Sequence, residues 1–284
     1  MKFVVAGAFS KFMQLYKFFI LNKKMLKVFD FVVYDGVCDC HWNGGRINSG
    51  VYYTDSQINF YYKNNIGIAL TFSNHNIDLS DAIGNELLKK FNRKGNLIIL
   101  QNEDLRKYIR KNYPLYELTY SITGTGKLNI PMEMSDVDFY KDLESKYDLI
   151  VPRMEHIFDP LFIEYLNMDK YEIMLNDDCR YNCPYYHDHF IKISNQNTLY
   201  DHPSIELSDD YRFNIEECWL DDYDPDIGEN QNHCDSYGMD LTDDQIERLI
   251  SMGIHYFKIS GRELPSEEFY LELKKCKDIL YAVT

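Results

Sequence analysis

The stretch NDDCRYNCPYYHDHF, residues 176–190, gathers side chains that bind soft metals. Cys179 and Cys183 stand four apart, and His187 and His189 follow the second cysteine by four and six residues. Thiolates favour zinc or iron–sulfur clusters. A Cys-x3-Cys pair on a tight loop or a helix's first turn brings two sulfurs within reach of one centre. Two further ligands are needed, and Cys218 in IEECWLDD and Cys234 in NHCDSYG are available; His187, His189 and His233 are nitrogen alternatives that suit zinc. The plain alternative is that Cys179 and Cys183 are thiols beside solvent-facing histidines. Cys38 and Cys40 stand after an early apolar run, either as mouth residues of the fold or as a redox pair. Seven cysteines, an odd count, argue against a disulfide framework and for metal or redox chemistry.

The elements that position these groups follow from apolar patterning. Runs typical of buried strands occur at 3–7, 29–34, 66–72, 96–101, 116–122, 147–152, 171–176, 255–260 and 279–283. Segments of helical periodicity lie between most of them, at 79–91, 103–113, 135–146, 242–253 and 266–277. Ser135 with Asp138, and Thr242 with Gln245, have the spacing of an N-cap and its third helical residue, and Gly253 stands where a helix would end. Continuous apolar strands separated by helices imply a parallel sheet covered on both sides. Eight such units plus one trailing strand predict an α/β fold, a (β/α)8 TIM-type barrel formed by residues 1–284 as a single domain. An open doubly wound sheet is the alternative, but AGAFSKF after the first strand has neither phosphate-loop pattern.

Residues 194–240 read as a long cysteine-containing insertion after strand seven, polar, acidic and with little apolar periodicity. From Asp201 to Asp244 there are fifteen acidic residues and one basic one, which supplies nearly all of the net charge of −15. A surface of that sign repels phosphate backbones, so no nucleic-acid partner is expected. No apolar run reaches the roughly eighteen residues of a membrane span. MKFVVAGAFSKFMQLYKFFILNKK reads as a strand and an amphipathic helix, which leads to the expectation of a cytoplasmic protein.

A barrel of this kind carries its active site at the C-terminal ends of its strands. The polar residues expected there include Asp35 and Arg46 as substrate-binding groups, and Asn74, Arg153, Lys258 and Arg262 as catalytic candidates. A charge inside an apolar strand must be paired or face a ligand. Arg153 and Lys258 are therefore expected to point into the mouth, with Asp35 and Glu155 as the nearest acidic partners. Asn74 would position an anionic substrate held by the arginines and Lys258.

Four segments together resemble one family. They are DFVVYDGVCDCHWNGGR, YDLIVPR, the cysteine segment after strand seven, and DLTDDQIERLISMGIHYFKISGRE. In this order they are similar to the collagenase-like peptidase family U-thirty-two (U32), whose late segment reads FKIEGR; here Phe257 to Arg262 read FKISGR, with Ser260 in place of the glutamate. The resemblance implies a barrel with a [4Fe–4S] cluster on Cys179, Cys183, Cys218 and Cys234. It also implies oxygen-independent hydroxylation-type or peptidase-like chemistry on a small anionic or aromatic molecule, or on a peptide. A radical S-adenosylmethionine motif is a poorer fit: Tyr186 stands where its third cysteine would be, and that motif follows the first barrel strand. The second class of function is a zinc-stapled barrel without catalysis that binds or assembles with a protein partner.

Overall fold

The computed structural model describes residues 1–44, 50–177, 183, 186–201, 240–262 and 264–283. The strands are β1 (Lys2–Ala6), β2 (Asp30–Val37), β3 (Gly50–Val51), β4 (Gly67–Phe72), β5 (Leu97–Leu100), β6 (Glu117–Tyr120), β7 (Leu149–Ile150), β8 (Glu172–Met174) and β9 (Tyr256–Ile259), all but β3 formed by the apolar runs. The helices are α1 (Phe12–Leu21), α2 (Asp55–Lys63), α3 (Ala82–Lys90), α4 (Glu103–Asn112), α5 (Ile122–Thr125), α6 (Met134–Lys146), α7 (Pro160–Tyr165), α8 (Tyr186–Asp201), α9 (Asp243–Ser251) and α10 (Ser266–Val283).

Eight strands pair in the order β7-β6-β5-β4-β2-β1-β9-β8, and all the pairs are parallel. A parallel bridge from Ile150 to Tyr171 joins the two ends of that order, so the sheet closes on itself. This is the expected (β/α)8 barrel. The short β3 pairs with β2 outside the ring.

Register decides what faces inward. Phe3, Phe31 and Phe257 are aligned across three strands and their rings stack at 5.6 and 6.1 Å. Phe19 of α1 meets Phe31 edge-on at 5.2 Å, so this layer seals the barrel against its helices. Burying each such ring contributes roughly 1.5–3 kcal/mol. Side chains alternate along a strand, so the next residues, Val4, Val32 and Lys258, turn into the barrel. Lys2 and Glu117 pair at 2.7 Å at the N-terminal end of the barrel.

Helix ends follow local chemistry. Thr242 and Gln245 form the expected capping box, and Gly253 takes φ +96° just beyond α9. The cap of α6 lies earlier than Ser135 with Asp138. The N-cap is Glu133, whose backbone N–H donates to Asp136 at 2.8 Å, because Asp136 is buried and accepts from Asn129 as well. The trailing run 279–283 is not a ninth barrel strand: it completes α10. Phe269, Leu273 and Ile279 are all buried on that helix, and no turn residue interrupts it to start a strand. After β8 the chain enters α8, which carries residues 194–201 as helix; residues 202–239 lie outside the described residues.

Gly84 on α3 faces the fully buried Trp42, and a Cβ there would lie 2.5 Å from the indole. The ring cannot yield, since Nε1 donates to the Asp78 carbonyl at 2.9 Å and Phe72 packs on it edge-to-face at 5.2 Å. Gly84→Ala would gain at most about 1 kcal/mol of helix propensity, against an overpacking cost of about 1–3 kcal/mol. Urea denaturation is expected to show a net loss of stability of about 1 kcal/mol, the reverse of the usual helical exchange.

Candidate active site at the barrel mouth

A cavity of about 100 Å³ opens at the C-terminal ends of the strands. Tyr34 from β2, Thr71 from β4, Ser121 beyond β6, Asp177 beyond β8, and Lys258 and Arg262 from β9 and its loop line it. Tyr186 and Phe190 of α8 face it from above. Lys258 and Arg262 are thus brought together as the sequence anticipates, with Asp35 directly behind them.

Lys258 sits among apolar neighbours: its register partners are Val4 on β1 and Met174 on β8. Its Nζ lies 3.6 Å from Oε1 of Glu172, and 4.7 Å from the centre of the Tyr34 ring. Glu172 is 0% exposed, and among the described residues its carboxylate oxygens have no hydrogen-bond partner beyond the long contact to Lys258. Burial drives the Glu172 carboxyl upwards and the Lys258 ammonium downwards, and each is only partly held back by the other. Both shifts move the pair towards its uncharged form. The acidic partner of Lys258 is therefore Glu172, and not Asp35 or Glu155. A charge within YEIMLN is as anomalous as one within HYFKIS, so the reasoning that singled out Lys258 could have found Glu172 too.

Asp35 is an organiser. One oxygen accepts from Phe9 N–H, Ser10 N–H and the Ser10 hydroxyl, at 3.1, 3.0 and 2.8 Å. The other accepts from Gly36 N–H and from Arg262 Nη1, both at 3.2 Å. The expected substrate-binding carboxylate thus ties the turn after β1 to the loop after β9, and so fixes Arg262. A guanidinium carries five donors; one is given to Asp35, and the residue also lines the cavity.

Arg153 stands beside the cavity, its guanidinium 5.5 Å from the centre of the Tyr186 ring that lines it. It is not among the described residues of the cavity wall. Its Nε donates to Glu155 at 3.1 Å and its Nη1 to the carbonyls of Gly126 and Leu128 at 2.7 and 2.9 Å, which secures the segment after α5. Its backbone N–H donates to Tyr140 Oη at 3.1 Å, which is 3.0 Å from Nδ1 of His156. The Asn129 carbonyl, 2.7 Å from Nε2, can only accept. Nε2 therefore carries the proton and Nδ1 receives the tyrosine hydroxyl. Burial lowers the pKa of His156, in keeping with this neutral ring.

Asn74 is buried, and its amide nitrogen donates to the carbonyls of His41 and Ser194 and to the Thr198 hydroxyl, at 2.8, 3.2 and 3.2 Å. Asn76 reaches Asn195 at 2.7 Å. These bonds seat α8 on the mouth. At the other end of the helix Tyr186 donates to Asp177 at 3.0 Å and packs with Cys183, both buried. His187 meets His75 edge-on at 5.8 Å. His189 stacks on Phe190, and Cys38 and Cys40 lie in the segment after β2. Arg46, Cys179, Cys218, Cys234 and His233 lie outside the described residues.

Among the described residues no three His, Cys, Asp or Glu side chains come together as a metal site. Cys183 is the one member of the expected cluster set that is described, and it sits beside the cavity wall at Tyr186. Thr71 was not anticipated. It is 7% exposed, it lines the cavity, and among the described residues its hydroxyl has no hydrogen-bond partner.

No family model matches the chain, and no curated protein matches it. Among solved structures it is similar to one described as a U32 peptidase, with a TM-score of 0.51 at 9% identity over 92% of each chain. At that identity the likeness is one of fold: the chain has a U32-like barrel.

Two outcomes are expected here. Arg153→Ala would remove the guanidinium that pairs with Glu155, 1% exposed at its side chain, at 3.1 Å. Loss of one buried partner costs roughly 3–5 kcal/mol, so the denaturation midpoint should fall sharply while the remaining folded protein keeps its cavity. The second concerns acid. Burial, with His187 and Lys127 nearby, lowers His75 from 6.5 to about 4. Between those values the unfolded chain binds more protons than the folded one, so this stabilisation is full above 6.5 and drains away as pH falls towards 4. His75→Gln should flatten the decline of melting temperature with acidification over that window.

Proposed function

We propose that the chain is a U32-like barrel enzyme that takes a small substrate bearing an acidic group at the mouth of the barrel. The observation that carries this reading is the cavity, where Arg262 is fixed by Asp35, Lys258 lies next to it, and the buried Thr71 hydroxyl has no partner among the described residues. A hydroxyl stripped of water without a partner costs about 1–3 kcal/mol, so a ligand acceptor or donor at that point would recover it. Arg262 supplies charge-assisted hydrogen bonds to the acidic group. Asp35 holds the guanidinium in place, and α8, seated by Asn74, lines one side of the site. A cavity of about 100 Å³ favours a small molecule over a peptide.

The same reading places a [4Fe–4S] cluster on Cys179, Cys183, Cys218 and Cys234, next to the cavity by way of Cys183 and Tyr186. Bound there, a cluster would supply one-electron chemistry. The support for it is the sequence resemblance, the U32-like fold and the position of Cys183; zinc on the same thiols is the alternative.

The test uses protein purified without oxygen, with saturation-transfer NMR on a panel of small monocarboxylates and dicarboxylates. Binding should weaken by about tenfold to a hundredfold in Arg262→Ala, since a hydrogen bond to a charged group contributes about 1.5–3 kcal/mol. It should be partly retained in Arg262→Lys. Binding indifferent to both changes would remove the mouth as the substrate site. The visible spectrum of the same sample reports the metal: broad iron–sulfur absorbance supports the cluster, and colourless protein with stoichiometric zinc replaces it.

A further inference from the structure

Anion binding uses Arg262 and leaves the buried amine of Lys258 without a chemical role. Three observations concern that amine. It lines the cavity, so a bound molecule can reach it. Among the described residues Glu172 stands at 3.6 Å, a long ion pair rather than a tight salt bridge, and Asp177 lines the same cavity. Its register neighbours Val4 and Met174 are apolar and strip the amine of water, while the Tyr34 ring, 4.7 Å away, is the face it lies over.

We infer that Lys258 is a nucleophile that forms an imine with the carbonyl carbon of a small 2-oxo acid, whose carboxylate is held by Arg262 and whose water-forming step is served by Glu172. The inference rests on the mouth cavity being the substrate site. A carbonyl next to a carboxylate fits because amine and guanidinium share one cavity with room for only a few non-hydrogen atoms.

Consider the pair with its proton on Glu172. The amine lone pair attacks the carbonyl carbon and a C–N bond forms. The carbonyl C–O bond then breaks, and its oxygen leaves as water with one proton from the nitrogen and one from Glu172. Neutral amine, neutral acid and carbonyl become iminium, carboxylate and water, so charge and atoms balance and no oxidant or reductant is consumed. The ion pair that results is the one Glu172 is placed to hold. Burial and the nearby Arg262 disfavour the protonated amine and Glu172 favours it, with burial the largest influence and the net direction downwards.

The probe is pyruvate, added to the full chain with cyanoborohydride, which reduces an imine to a stable amine. Peptide mass spectrometry then locates the reduced pyruvyl group. The expected result is a reduced pyruvyl group on Lys258 first, with the exposed lysines labelled only at longer times. Labelling at that position should be lost in Lys258→Arg and slowed in Glu172→Gln, with pyruvate binding still seen by saturation-transfer NMR in both. Labelling spread evenly over surface lysines while pyruvate still binds in an Arg262-dependent way would overturn the imine and leave the mouth reading intact. If pyruvate and the other carboxylates do not bind at all, the mouth reading fails and the imine fails with it.

Discussion

A lysine inside a parallel barrel strand must be answered from within the barrel, and the Glu172–Lys258 pair is that answer. Both side chains point into an interior otherwise built from residues such as Val4, Val32 and Met174. Such a pair contributes little net stability, because desolvation offsets most of the attraction. What it does is set a polar axis through an apolar ring. Lys2 with Glu117 stands at the N-terminal end, Glu172 with Lys258 lies within, and Arg262 with Asp35 stands at the mouth. The cavity occurs where this axis reaches the surface beneath α8.

The mouth is ordered by side chains that look like catalytic candidates but whose hydrogen bonds go to the backbone. Asp35 receives N–H groups from the turn after β1, Asn74 reaches the carbonyls of His41 and Ser194, and Arg153 reaches those of Gly126 and Leu128. Loops at the open end of a barrel lack the ladder that satisfies strands, so their polar backbone groups need partners. These residues position the site. Among the described residues, Arg262, Lys258 and Thr71 face its space with hydrogen-bonding capacity to spare.

The alternation of apolar strands and periodic helices made the barrel legible, because a (β/α)8 unit repeats the same local signal eight times. The trailing run 279–283 misled, since a short apolar stretch has no period of its own; only the unbroken stripe from Phe269 shows that it is helix. The pairing of Arg153 with Glu155 was legible from two charges standing two residues apart. The pairing of Lys258 with Glu172 joins β9 to β8 across 86 positions of sequence (258 minus 172), and register, not proximity in the chain, decides it. Thr71 carries no sequence signal at all, because a threonine at a strand end is ordinary; its distinction is a hydroxyl left without a partner among the described residues.

The fold is shared with a U32 peptidase structure at 9% identity, so what this barrel does has to be read from its own mouth. The most direct measurement is a crystal structure of the full chain grown with pyruvate at saturating concentration. The expected result is the carboxylate against Arg262 and Thr71, with the carbonyl carbon within bonding reach of Lys258 Nζ. Pyruvate bound away from this cavity, or the cavity filled by the chain's own side chains, would contradict it.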